Sequence, residues 1–189
     1  MTILSMRTFL IESISLPRKK PHQKFVIGFV GGVRHYDSLI ALFEACKDFE
    51  DVEILVAGVG PAYNAVLESA KAYRNVTLTG PYSYSESIAD IYSSVDLVYS
   101  VYPSDRLNNQ LALPNKLYEA IVCEIPILVS EDTKLGDYVK ELGVGFTVKE
   151  GKPQILRHKI KSLLENPDLI EGVRAKSAVI RDAFFYESV

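Results

Sequence analysis

The sequence predicts an α/β fold, a doubly wound parallel sheet, and three observations carry that prediction. Apolar, β-rich runs recur at residues 25–30, 52–60, 75–79, 96–101 and 125–129. Stretches with helical spacing of apolar residues lie between them on short connections, the order that builds a parallel sheet with helices on its faces. The run at 125–129 is continuously apolar, as a strand covered on both sides is. The recurrence is topological, with no sequence repeat.

Composition narrows the class. With 189 residues, 48% of them hydrophobic and 24% charged, the chain suits one globular domain or slightly more, with a real core. A formal charge of −3 gives no basic field, so a nucleic-acid partner has no electrostatic support and any anion site must be local. Cys46 and Cys123 lack metal-ligand spacing and read as buried free thiols in a reducing compartment. No apolar run reaches the roughly 18 residues of a membrane span, and the first residues lack the order of a secretion signal. The expected location is the cytoplasm.

Residues 1–16 mix apolar and charged side chains without a clear period, and residues 17–24, PRKKPHQK, have the composition of an exposed linker. Residues 1–23 are therefore read as an extension and linker, and 24–189 as the domain. The basic linker also admits peripheral contact with anionic lipid at the inner face of a membrane. The first strand ends at Gly31 and Gly32, and a helix carrying Leu39, Ile40, Leu42, Phe43 and Cys46 follows. The glycines let the backbone turn sharply and approach a ligand, and Arg34 is a fork-shaped donor suited to phosphate oxygens or to plain surface duty. No G-x-G-x-x-G follows the strand and no acidic residue closes the second one, which disfavours a nicotinamide dehydrogenase.

The second strand leads to a helix at 61–73, and the third is ended by Gly80 and Pro81. Ser85 and Glu86 open a helix with Ile88, Ile91 and Tyr92 on its inner side. After the fourth strand the stretch 102–113, YPSDRLNNQLAL, is polar and reads as a loop on the ligand rim, with Asp105 and Arg106 as substrate contacts or a surface pair. A short helix at 135–142, a strand at 145–148 and helices at 153–164 and 168–185 complete the chain. No His stands with a Ser or Cys and a carboxylate as a triad would require.

The organising stretch is 113–130, LPNKLYEAIVCEIPILVS. Pro114 suits a helix's first turn, where its missing N–H would be unpaired anyway. Leu117, Ala120 and Ile121 form an apolar stripe, while Asn115, Lys116 and Glu119 are neighbours on a polar side able to touch a ligand. Ligands of open α/β sheets bind beyond the carboxyl ends of the strands, where this helix begins.

FVGGVR, VEILVAGVG, VTLTGPY, IYSSVDLVYSVYPS and above all PNKLYEAIVCEIPILVS, in this order, resemble the C-terminal, donor-binding half of retaining GT-B glycosyltransferases of the family-four type (group 1). The resemblance runs from Lys24 to about Tyr186. It implies a Rossmann-like single GT-B half, with the N-terminal domain absent from this chain. It also implies a role for each matching residue. Gly31, Gly32, Arg34, Asn115, Lys116 and Leu117 would lie against the diphosphate of a nucleotide sugar, Glu119 would hold the ribose hydroxyls, and Gly80 and Tyr82 would receive the base. No metal or cofactor is implied beyond the sugar nucleotide itself. The implied reaction is transfer of a sugar from a nucleoside diphosphate to a hydroxyl acceptor with retention, in surface glycan or polysaccharide synthesis.

Three departures accompany the resemblance. Leu111 stands where the family places the first of two glutamates, eight positions before Glu119; the first loop offers Arg34 alone; and the resemblance covers none of the acceptor-holding half. Catalytic residues stay unassigned, and the isolated chain is expected to bind nucleotide without completing transfer. The competing reading is a noncatalytic nucleotide-binding or partner-binding module, with residues 1–16 and 184–186 as candidate docking surface.

Overall fold

Parallel strands dominate the structure, and the runs Leu97–Ser100 and Ile127–Ser130 are buried on both faces along their whole length. The computed structural model describes residues 24–105 and 107–186, the side chains of 182–186 excepted. The N-terminal extension, Arg106 and the side chains of 184–186 thus lie outside the described residues.

The strands are β1 (Phe25–Val30), β2 (Val52–Ala57), β3 (Val76–Gly80), β4 (Leu97–Ser100), β5 (Ile127–Ser130) and β6 (Gly145–Val148). They form one parallel sheet in the order β3-β2-β1-β4-β5-β6. Register along β1 and β2 runs from Phe25 opposite Val52 to Val30 opposite Ala57. Side chains alternate across the sheet. Ile27, Phe29, Ile54, Val56, Leu97, Tyr99 and Leu128 point to one core, and Val26, Val30, Val98, Ile127 and Val129 to the other.

Helices α1 (Tyr36–Cys46), α2 (Tyr63–Ala70) and α7 (Pro153–Glu165) cover the first core, through Leu39, Leu42, Phe43, Val66, Leu156, Ile160 and Leu163. Helices α3 (Tyr84–Ser93), α5 (Asn115–Val122) and α6 (Lys134–Leu142) cover the second, through Ile88, Tyr92, Leu117, Ala120, Ile121, Leu135 and Val139. The last helix, α8 (Pro167–Tyr186), reaches both, with Ile170 in the first and Ile180 against the second. The winding reverses between β1 and β4, and this switch point opens a crevice at the carboxyl ends of the strands.

Two local readings need correction. The expected loop at 102–113 contains a helical turn, α4 (Leu107–Leu111). Asn109 Nδ2 and Gln110 Nε2 donate back to the carbonyls of Pro103 at 2.9 Å and Ser104 at 2.7 Å. Five polar-rich residues are too few to display a helical period. Pro114 precedes α5 as its cap, with φ −72° and ψ 153°, and Asn115 opens the helix. Glu124 then leaves it with φ 55°, the one non-glycine left-handed residue among those described. No described helix is long and apolar enough to cross a membrane.

Candidate functional site

The floor of the crevice is backbone. Gly31 ends β1 at φ 122°, and its N–H donates to the carbonyl of Ala57 at 2.8 Å. Gly58, after β2, has the same φ, and its N–H donates to the carbonyl of Gly80 at 2.9 Å. A Cβ on Gly58 would stand 2.2 Å from the Gly31 oxygen, so the loops after β1 and β2 stack only because no side chain intervenes. Gly58 was not singled out by its motif. The only signal for it was a second glycine-ended strand beside the first.

Lys116 enters this floor from α5. Its Cε would lie 3.3 Å from a Cβ on Gly31, its Nζ donates to the Tyr102 hydroxyl at 2.6 Å, and it sits 3.5 Å from the centre of the Phe29 ring. The residue is only 7% exposed, and no carboxylate among the described residues lies within 4.0 Å of its ammonium. A hydroxyl and π faces compensate a buried ammonium only in part. Tyr102 is itself fixed, its N–H donating to Ser130 Oγ at 2.9 Å and its carbonyl accepting from that hydroxyl at 2.6 Å. Its ring packs on His35 at 5.0 Å. Tyr102 carried no sequence signal for this role, since its spacing to Lys116 is 14 residues across a loop.

The α5 start behaves as expected in part. The amides of Asn115 and Lys116 have no acceptor among the described residues, the ordinary state of a helix N-terminus. Leu117 is different. Its amide donates to the Pro114 carbonyl at 3.1 Å and its side chain is 1% exposed in the core, so neither faces a ligand. Asn115 and Arg34 are exposed, and Gly32 lies beside Arg34, whose Nε would be 3.3 Å from a Cβ there. Asp105 is exposed.

Glu119 departs most from the expected open polar side. It is 4% exposed, and both carboxylate oxygens accept hydrogen bonds, Oε1 from the Tyr84 hydroxyl at 2.8 Å and Oε2 from that of Tyr92 at 2.5 Å. Spacing along α5 places the carboxylate on its helix side, but only packing shows that α3 covers that side with two phenols. Burial, and then the Glu119 charge, push Tyr84 and Tyr92 up from the ordinary phenol value, so both act as donors. Tyr82 is raised for the same reasons, in that order, and therefore lies within the field of Glu119. Of the predicted residues, Tyr82 is thus brought to Glu119 and Gly31 to Lys116, while Gly32 and Arg34 neighbour each other on the loop after β1 and Gly80 ends β3, its carbonyl accepting from Gly58.

A cavity of about 70 Å³ adjoins the α5 start, lined by His35, Ser100, Tyr102, Asn109, Pro114 and Thr133. The Ser100 hydroxyl in its wall is buried and has no hydrogen-bond partner among the described residues. Leu111 is 58% exposed at the end of α4. Among the described residues no group of three or more His, Cys, Asp or Glu is placed to hold a metal ion.

Comparison with known proteins places this architecture. Similar solved structures include Anabaena Alr3699/HepE in complex with UDP-glucose, with TM-score 0.67 and 18% identity over 97% of this chain and 50% of that one. The pneumococcal O-GlcNAc transferase GtfA in complex with UDP and GlcNAc gives TM-score 0.69 and 20% identity over 90% of this chain and 35% of that one. The C-terminal domain of the Francisella tularensis group 1 glycosyl transferase LpcC gives TM-score 0.62 and 18% identity, over 90% of this chain and 88% of that domain. The chain thus spans about half the length of HepE and most of the LpcC domain, and at these identities the likeness is one of fold, that of a GT-B C-terminal half. No curated protein matches the sequence. The family model described as glycosyl transferases group 1 matches residues 11–178, most of the sequence, and the chain belongs to that family.

Proposed function

We propose that the domain binds the diphosphate of a nucleoside diphosphate sugar in the crevice between β1 and β4, as the donor half of a glycosyltransferase. The observation that carries this reading is Lys116, a buried ammonium with no carboxylate among the described residues, set against Gly31 and two α5 amides that have no acceptor among those residues. A diphosphate supplies the missing counter-charge and accepts from those amides. Arg34 adds a second cation from the rim, Glu119 accepts from the ribose, and Tyr82 with Gly80 borders the base.

Transfer breaks the bond between the anomeric carbon and the phosphate oxygen and forms one to the acceptor oxygen on the same face. The acceptor proton passes to a donor phosphate oxygen, so no side chain of this half serves as base. Lys116, Arg34 and the amides stabilise the departing diphosphate. Binding needs no divalent metal. A second α/β half, on this or another polypeptide, holds the acceptor, and the product is a surface glycan or polysaccharide. The site of action is cytoplasmic, with peripheral membrane contact through the basic residues 17–24.

Calorimetric titration of the chain with UDP, GDP and ADP tests the reading, UDP first because similar structures contain it. At least one should bind, unaffected by EDTA, and Lys116→Met should weaken it by about tenfold or more. Silence with all three overturns the proposal. The noncatalytic module is favoured by one observation, the apolar pair Leu107 and Leu111 on α4, 68% and 58% exposed. Sugar transfer by the chain once a second half is supplied would exclude it.

A further inference from the structure

The carboxylate assigned to the ribose is covered. Glu119 is 4% exposed, and its two phenol partners differ in how they are held. Tyr92 is 0% exposed, in the middle of the second core, and bonds Oε2 at 2.5 Å. Tyr84 is the first residue of α3, half-buried, and bonds Oε1 at 2.8 Å; the helix start that carries it has no side-chain cap. A vicinal diol can reach Glu119 only where a cover can leave, and only Tyr84 stands at the surface.

We propose that Tyr84 is a specificity-determining residue whose hydroxyl occupies, in the empty site, the place of one ribose hydroxyl on Glu119 Oε1, and is exchanged for it when nucleotide binds. The inference rests on the nucleotide reading above. Tyr92 stays throughout, orienting the carboxylate through Oε2. The exchange swaps one O–H donor for another, so a ligand bearing the diol keeps Glu119 satisfied. A ligand lacking both hydroxyls leaves Tyr84 in place. The raised phenols of both tyrosines keep them protonated donors over the neutral range, as the exchange requires.

The test uses the full chain and whichever of UDP, GDP and ADP binds most tightly, with its 2′,3′-dideoxy form. Tyr84→Phe removes the competing hydroxyl, so the ribonucleotide should bind about three- to tenfold more tightly while the dideoxy form is unchanged. Tyr92→Phe should weaken the ribonucleotide. Unchanged or weaker ribonucleotide binding by Tyr84→Phe overturns the exchange. Should that variant fold poorly by circular dichroism, the fluorine resonance of a 3-fluorotyrosine placed at position 84 decides instead. It should shift with the ribonucleotide and not with the dideoxy form, and a shift with neither or with both overturns the proposal. Failure of the underlying reading shows separately, in the Tyr84 background. There, absence of binding by all three diphosphates, or full affinity in Glu119→Gln, removes the ribose role itself.

Discussion

Each end of the sheet holds a buried charge, and the two are treated differently. At the amino-terminal end Asp96 is 1% exposed; one oxygen accepts the Val26 N–H at 3.1 Å, and the other pairs with Arg174 at 3.2 Å. At the carboxyl-terminal end Lys116 is almost as deeply buried, yet among the described residues it meets only a phenol oxygen and ring faces. A charge that folding has matched ties elements together, here β1, β4 and α8. An unmatched one costs stability and persists where an incoming ion compensates it.

The two charges should respond in opposite ways to removal. Asp96→Ala strips a buried amide and a guanidinium of their acceptor, and should lower unfolding free energy by about 3 kcal/mol in denaturant titration, with nucleotide affinity of the folded fraction kept. Lys116→Met should do the reverse. Affinity falls by about tenfold to a hundredfold while the melting temperature holds or rises, because an uncompensated ammonium gives way to an apolar chain of similar length.

Gly58→Ala touches both stability and the site, since its Cβ would press on the Gly31 oxygen in the floor beside Lys116. We expect a loss of about 1–2 kcal/mol in stability, together with weaker nucleotide binding by calorimetry. Arg34→Ala, on the exposed rim, should weaken binding by only about two- to fivefold and leave stability unchanged. The smallest effect at neutral pH concerns the thiols. Burial pushes Cys46 and Cys123 from 9.0 to about 12, so their contribution to stability is complete below pH 9 and is lost as pH rises toward 12, where the unfolded chain releases protons first. Chemical denaturation between pH 8 and pH 11 should show this decline, and iodoacetamide should label the folded protein slowly at pH 8.

Strands and helices were legible wherever a run was long enough to show its period: β1, β2, α1 and α7 are where pattern alone puts them. The short α4 turn was not legible, because its side chains bond back to Pro103 and Ser104, contacts that follow the loop's own path. Within the site, motif spacing singled out Gly31, Arg34, Lys116 and Glu119. Gly58, Tyr84, Tyr92 and Tyr102 escaped it. Each acts across a distance in sequence, Tyr92 reaching Glu119 over 27 residues and Tyr84 over 35. Leu117 shows the opposite error, a motif neighbour whose own side chain belongs to the core.

Sequence alone determined that the chain alternates strand and helix, that a helix begins at about Asn115, and that charged side chains sit one turn apart on it. Those are local matters of period and turn chemistry. Tertiary structure alone decided that Lys116 meets no carboxylate among the described residues while Glu119 is closed over by two phenols. Whether a charge is matched depends on what the neighbouring strands and helices bring within hydrogen-bond reach, and residues far apart in sequence settle that only once the sheet is wound.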